Sequence, residues 1–233
     1  NLYGYVDDPF MAQARFDFEK FADHVHKAMH LMDDIIDLEL EKVDLIIAKI
    51  ESDPEDTDVR QVELNLWRKI KEMALKGRRT GLGITAEGDM LAALGLRYGS
   101  DEALEFAVRV HKTLAVEAYR ESVEMARERG AFKVFDAAKE RNNPMINRIK
   151  EADPALYEQM VEYGRRNIAM LTIAPTGTTS LMSQTTSGIE PVFRPVYRRR
   201  RKINPSDKDV KVSFVDDEGQ AWEEFNVYHH KFV

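Results

Sequence analysis

Apolar residues recur at steps of three and four through Phe16, Phe18, Phe21, Val25, Met29, Met32, Ile35, Ile36 and Leu40, the spacing that lines one face of an α-helix. Asp17 suits an N-cap and Asp53-Pro54 closes the run, so a helix is predicted from about Asp17 to near Glu51. A second is predicted from Asp58 to Lys76, with Val62, Leu66, Ile70 and Met73 on one face and Gly77 as its stop. Gly81 to Thr85 then reads as a strand and Glu87 to Leu96 as a short helix. Asp101 to Arg129, ended by Gly130, and the stretch around Pro154 to Tyr163 read as further helices. Asn142-Asn143-Pro144 marks a break between helices, and no repeat or low-complexity linker interrupts the order.

From Val192 the period changes. Val192-Phe193, Val196-Tyr197, Val210 to Val215 and Trp222 to Tyr228 are rich in β-branched and aromatic residues, with Asp216-Asp-Glu-Gly219 as a turn, so a hairpin of two or three strands is predicted. The pattern as a whole is helix-rich α/β. It divides into residues 1–191 and a β-rich extension, residues 192–233.

Between these regions lies the run Leu171-Thr-Ile-Ala-Pro-Thr-Gly-Thr-Thr-Ser-Leu-Met-Ser-Gln-Thr-Thr-Ser-Gly-Ile-Glu-Pro191. Leu171 to Ala174 reads as a short buried strand, Pro175 ends it, and Gly177 allows a tight turn before a helix over Thr178 to Met182. Amides at a new helix N-terminus lack intrahelical partners, so a phosphate there gains hydrogen bonds and roughly 0.3–2 kcal/mol of charge–dipole attraction. Thr176, Thr178, Thr179 and Ser180 add hydroxyl donors. The turn has no lysine, which separates it from the Gly-x-x-x-x-Gly-Lys-Ser/Thr nucleotide loop. The same residues also suit a plain helix cap.

Composition narrows the classes. At 233 residues, 43% hydrophobic and 32% charged, the chain can bury a core as one large domain or two small ones. No apolar run approaches the ~20 residues of a membrane span, and no signal-peptide pattern opens the chain, so the expected compartment is the cytoplasm. A net charge of −7 argues against nucleic-acid binding.

Ala174-Pro-Thr-Gly-Thr-Thr-Ser180, followed by Ser187-Gly-Ile-Glu-Pro191, resembles the substrate-phosphate loop and adjoining segment of the ribonucleotide reductase catalytic chain. Its Pro-Thr-Gly-Thr form resembles the adenosylcobalamin-dependent class II enzymes, where class I chains usually carry Pro-Ser-Glu-Thr-Ser. Gly77-Arg-Arg-Thr-Gly-Leu-Gly-Ile84 is similar to the family's Arg-Arg-x-x-Gly-(Leu/Ile)-Gly segment, and Asn1-Leu2 to the Asn-Leu that follows one of its redox cysteines. The resemblance covers roughly residues 1–195.

That resemblance implies part of the wall of a ten-stranded α/β barrel, with some strand edges left uncovered. It implies a ribonucleoside di- or triphosphate substrate held by Pro175, Thr176, Gly177, Thr178, Thr179 and Ser180, adenosylcobalamin as cofactor, a thioredoxin-type reductant, and a possible homodimer. The family's chemistry needs at least three thiols and an Asn-x-Cys-x-Glu run, whereas this chain contains no cysteine. The chain is therefore expected to be a fragment beginning just after the catalytic loop, inactive alone and without a catalytic residue or metal ligand of its own. A class I chain served by a radical-storing metal subunit, or a non-catalytic phosphate-binding domain derived from the barrel, are the alternatives.

Other signals have plainer readings. Gly81-Leu-Gly-Ile-Thr-Ala86 fits the dinucleotide fingerprint, but its glycines fall inside the expected strand, where they permit close backbone approach. His26 and His30 have chelating spacing near Asp33, Asp34 and Asp37, yet read as a solvated helix face. His229-His230 in a strand would point to opposite faces. Arg198-Arg-Arg-Arg-Lys202 is either an anion-recognition patch or a guarded edge strand. Arg78 and Arg79 either orient a phosphate or pair with carboxylates.

Overall fold

The computed structural model describes residues 1–204 and 206–232. A 3-10 turn at Leu2–Tyr5 leads into a small antiparallel pair, β1 (Val6–Asp7) and β2 (Arg15–Phe16). The 35-residue helix α1 (Phe18–Ser52) follows, and the Asp17 side chain accepts the Lys20 amide as the sequence predicts. Its buried stripe is Phe21, Val25, Met29, Ile36, Leu40, Val43 and Ile50. Ile35, expected on that stripe, is 55% exposed because it lies one helical step off it.

The first half of α1 packs against α4 (Asp101–Arg129), which begins at Ser100 capping the Ala103 amide and stops at Gly130 with φ 87°. The distal half pairs with α2 (Thr57–Gly77). Here the expected face is wrong. Val62, Leu66 and Met73 are 69%, 56% and 55% exposed, while Leu64 is buried. Ion pairs Arg68–Glu51 and Lys71–Asp44 accompany the contact with α1, so α2 uses a mixed face and leaves its apolar one uncovered.

Three shorter helices complete the frame: α3 (Glu87–Ala93), α5 (Pro144–Ala152) and α6 (Pro154–Tyr163). The break read at Asn142-Asn143-Pro144 is itself a helix start, with Asn143 as N-cap accepting the Met145 amide and Pro144 in the first turn. The two strands expected at Gly81–Thr85 and Leu171–Ala174 contract to a single parallel bridge, Leu82 with Leu171. Hydrogen bonds from Thr80, Leu82 and Thr172 amides to Ala169, Met170 and Leu82 carbonyls hold the two segments side by side.

The segment after residue 191 forms an antiparallel sheet in the order β3 (Val196–Lys202), β5 (Ala221–Tyr228), β4 (Phe214–Val215). Val192-Phe193 lies before it and Val210 to Ser213 outside it, since β4 is only two residues long. Arg198 and Arg200 pair with Glu224, and Arg201 with Glu223, across the β3–β5 ladder. The basic run is thus an exposed edge strand matched to acids on its neighbour. β5 ends at Tyr228, so His229 and His230 sit in a turn rather than on opposite strand faces.

Polar groups join the helices where the apolar stripes end. Asp33 has no exposed surface; one oxygen accepts Arg78 Nε and Asn167 Nδ2, both at 2.8 Å, and the other accepts Arg166 Nε at 3.1 Å. Burial raises a carboxylic acid's pKa, but here the Arg78, Asn167 and Arg166 donors outweigh it and hold Asp33 below its ordinary value. Arg78 therefore binds carboxylates and is unavailable to a phosphate. Arg165 is likewise buried, forked onto Glu140 and framed by Tyr119, Phe132 and Phe135.

His26 and His30 do not form a solvated face. His26 Nε2 lies 2.7 Å from Glu117 and its Nδ1 3.3 Å from Glu121, while His30 Nδ1 lies 3.0 Å from the same Glu121. The hydrogen bond to Glu121 raises the His26 pKa from 6.5 despite partial burial. A raised folded value means this contribution is fully present below the unfolded pKa and is lost as pH rises through the folded one. The melting temperature is expected to fall across that interval, and His26→Gln to flatten the slope; an unchanged pH profile in the variant would remove His26 from the linkage.

Candidate functional site

The hydroxyl-rich run leaves the parallel bridge at Leu171 and enters α7 (Gly177–Ser183). Pro175 ends the extended segment, and Thr176 occupies the N-cap with φ −88° and ψ 38° but makes no capping side-chain bond. The Ser180 amide bonds back to the Thr176 carbonyl, so the amides of Gly177, Thr178 and Thr179 precede the first intrahelical acceptor. Among the described residues, Gly177 has nothing within 4 Å of where a side chain would begin. Pro175, Gly177, Thr178 and Thr179 are exposed, so the free amides face open space.

The hydroxyls divide. Ser180 is buried and donates to the Gly177 carbonyl at 2.8 Å, so it serves the turn itself. Thr176 Oγ1 is buried without a hydrogen-bond partner among the described residues. Thr178 and Thr179 remain outside. Of the six residues singled out by the run, Thr176, Gly177, Thr178 and Thr179 therefore collect at the helix start with unspent donors, Pro175 has no donor to give, and Ser180 closes the turn from within.

The far end of α7 is fastened to α3. Gln184 turns the chain with φ 55°, the Thr185 amide bonds the Ser180 carbonyl, and the Thr186 amide then donates to Asp89 Oδ2 at 2.9 Å. The Ala86 and Glu87 amides donate to the Ser187 and Gly188 carbonyls. Gly88 packs so closely that a Cβ there would lie 2.5 Å from the Glu190 carbonyl oxygen and 2.6 Å from Pro191 Cα. Asp89 has no exposed surface, and burial pushes its carboxyl pKa up while the Thr186 amide and then His229 oppose the rise. The periodicity of the chain gave no warning of this role, since only the tertiary contact reveals it.

A cavity of about 540 Å³ opens beside this junction, lined by Thr186, Glu190, Phe193, Tyr197 and His229 among others. The loop residues 175–180 do not line it. The dinucleotide reading of Gly81 to Ala86 has no support in the geometry: a Cβ on Gly83 would lie 2.2 Å from the Thr172 carbonyl oxygen, so that glycine serves strand approach. Among the described residues no group of three or more His, Asp or Glu side chains has metal-binding geometry, and no helix is long and apolar enough to cross a membrane.

Comparison with known proteins shows which family the chain resembles. The family model for the ribonucleotide reductase barrel domain matches residues 1–217. A protein of Mycobacterium tuberculosis (strain CDC 1551 / Oshkosh) named vitamin B12-dependent ribonucleoside-diphosphate reductase is 30% identical over 190 residues, covering 81% of this chain and 21% of that protein. One of the same name from Thermoplasma acidophilum is 29% identical over 202 residues, covering 85% of this chain and 20% of its own. A ribonucleoside-diphosphate reductase subunit alpha of Treponema pallidum is 30% identical over 128 residues, 54% of this chain and 15% of its own. The chain thus spans 20–21% of the length of the two vitamin B12-dependent relatives. With a mixed helix–strand fold and a family match across nearly all its residues, the chain belongs to the ribonucleotide reductase barrel-domain family.

Proposed function

We propose that this chain is part of a vitamin B12-dependent ribonucleoside-diphosphate reductase, and that its loop Pro175, Thr176, Gly177, Thr178, Thr179 and Ser180 holds the diphosphate of the substrate. The observation that carries the reading is the set of amides at Gly177–Thr179 that have no intrahelical acceptor, set beside the unpartnered Thr176 hydroxyl. Neutral donors at a helix start bind a phosphate without a lysine. Fixing the phosphate would fix the ribose for reaction elsewhere in the parent protein. Residues 1–191 supply barrel wall in this reading, part of a ten-stranded barrel, and residues 192–233 an appended sheet.

The parent's cofactor is read as adenosylcobalamin from the names of the relatives. The chemistry that group supplies is a radical relayed through a cysteine thiol, and this chain has no cysteine. Its residues do not fit the cofactor by themselves, so no step is assigned to it. A thioredoxin-type dithiol would reduce the parent enzyme, a cytoplasmic protein that could act as a homodimer.

The test is Gly177→Pro in the full-length reductase. Proline suits the first helical position but deletes one free amide. We expect KM for the ribonucleoside diphosphate to rise by roughly tenfold, the change that ~1.4 kcal/mol of lost binding produces, while Gly177→Ala stays close to wild type. Equal KM values for Gly177→Pro and wild type would take the loop out of the substrate site.

A further inference from the structure

We propose that Asp89 is a positioning residue for the anion loop: its buried carboxylate fastens the segment leaving α7 and so sets the direction in which the amides of Gly177–Thr179 point. The inference rests on the phosphate reading of that loop and extends it to a residue far away in sequence.

Little else holds α7. Leu181 and Met182 are 79% and 84% exposed, and of its seven residues only Ser180 is buried. A short helix with so little packing takes its orientation from its two attachments. At the incoming end the attachment is the Thr172 amide on the Leu82 carbonyl. At the outgoing end Thr185 closes the helix onto Ser180, and the next amide, that of Thr186, donates to Asp89 Oδ2 at 2.9 Å. The bonds from Ala86 and Glu87 to Ser187 and Gly188, and the close contact at Gly88, extend the same junction. Among the described residues of α3, Asp89 is the one whose side chain bonds the segment after α7.

The carboxylate itself is buried. Its second oxygen, Oδ1, has no hydrogen-bond partner among the described residues but stands 3.6 Å from His229 Nε2, just after β5. With no exposed surface and a place on α3, the side chain is confined by packing, and its one hydrogen bond, from the Thr186 amide, joins α3 to the segment after α7. Asp89 touches no substrate in this account and acts through the backbone of Thr186.

The test is pyrophosphate titration of the full chain by calorimetry, with thermal melts alongside. Asp89→Ala removes the acceptor, Asp89→Asn keeps an oxygen for the Thr186 amide, and Gly88→Ala forces the segment away from α3 without touching the carboxylate. Expected are a loss of affinity of about tenfold in Asp89→Ala and in Gly88→Ala, and near wild-type affinity in Asp89→Asn. If Asp89→Ala does not fold, Gly88→Ala and Asp89→Asn carry the test. Wild-type affinity in Gly88→Ala or Asp89→Ala, with binding weakened in Gly177→Pro, overturns the positioning role and leaves the loop reading standing. An Asp89→Asn variant as weak as Asp89→Ala also overturns it. No binding by wild type at millimolar pyrophosphate overturns the loop reading and this inference with it.

Discussion

Asp33→Ala is expected to destabilise the chain by about 3–5 kcal/mol, the range seen when one partner of a buried ion pair is removed. Asp33 ties α1 to Arg78 after α2 and to Arg166 and Asn167 before the parallel bridge, through three side-chain hydrogen bonds of 2.8–3.1 Å. Alanine would leave the Arg78 guanidinium, 4% exposed, with Asp37 alone as its charged partner. Arg78 also stands in the left-handed region at φ 45°, a conformation that contacts of this kind must sustain. A control lies next door: Asp34, 44% exposed on its ion pair with Arg129, should cost no more than ~1 kcal/mol when replaced by alanine. Denaturant midpoints of the two variants decide the matter, and similar losses would mean that Asp33 is no hub. Because Asp33 is held below its ordinary pKa, its contribution is present above the unfolded value near 3.8 and disappears as pH falls through the folded one.

Gly83→Ala is expected to be the second severe change, at about 1–3 kcal/mol or more, whereas Gly81→Ala should stay under roughly 1 kcal/mol. The two glycines are two residues apart on one extended segment and differ in what a methyl group meets. At Gly83 it would lie 2.2 Å from the Thr172 carbonyl oxygen, a backbone atom held by the bridge. At Gly81 its nearest neighbour is the Thr172 side-chain methyl at 3.1 Å, which can give way. Since Thr172 leads into the anion loop, Gly83→Ala should also weaken pyrophosphate binding. Melting curves of the two variants check the contrast, and equal curves would contradict the close-approach role.

Helix limits were legible where caps carried them. Asp17 and Gly130 mark the ends of α1 and α4 at the residues the periodicity indicates. α5 was not legible because Asn143-Pro144 was read as a breaker, although the same pair is an N-cap followed by a proline in the first turn. The face of α2 was misread because its contact with α1 is made partly by Arg68 and Lys71, residues that an apolar pattern ignores. The Asp33 hub had a signal that went unused: the position falls between Met29 and Ile36 on the buried stripe, so the periodicity itself placed a carboxylate in the interior. His26 and His30 needed Glu117 and Glu121 from α4, partners 91 residues away that no local pattern supplies. The turn and helix start at Pro175 to Ser180 were legible in the proline, the glycine and the hydroxyl run, while the bond from Thr186 to Asp89 was invisible before α3 and the segment after α7 came together.

The central claim is that the amides opening α7 bind phosphate. Amide chemical shifts of Gly177, Thr178 and Thr179 followed by NMR during a pyrophosphate titration test it most directly. The account predicts that these three resonances move furthest and saturate together, and that in Gly177→Pro the response at Thr178 and Thr179 saturates only at about tenfold higher pyrophosphate. Shifts that saturate elsewhere while these residues stay unmoved would contradict it.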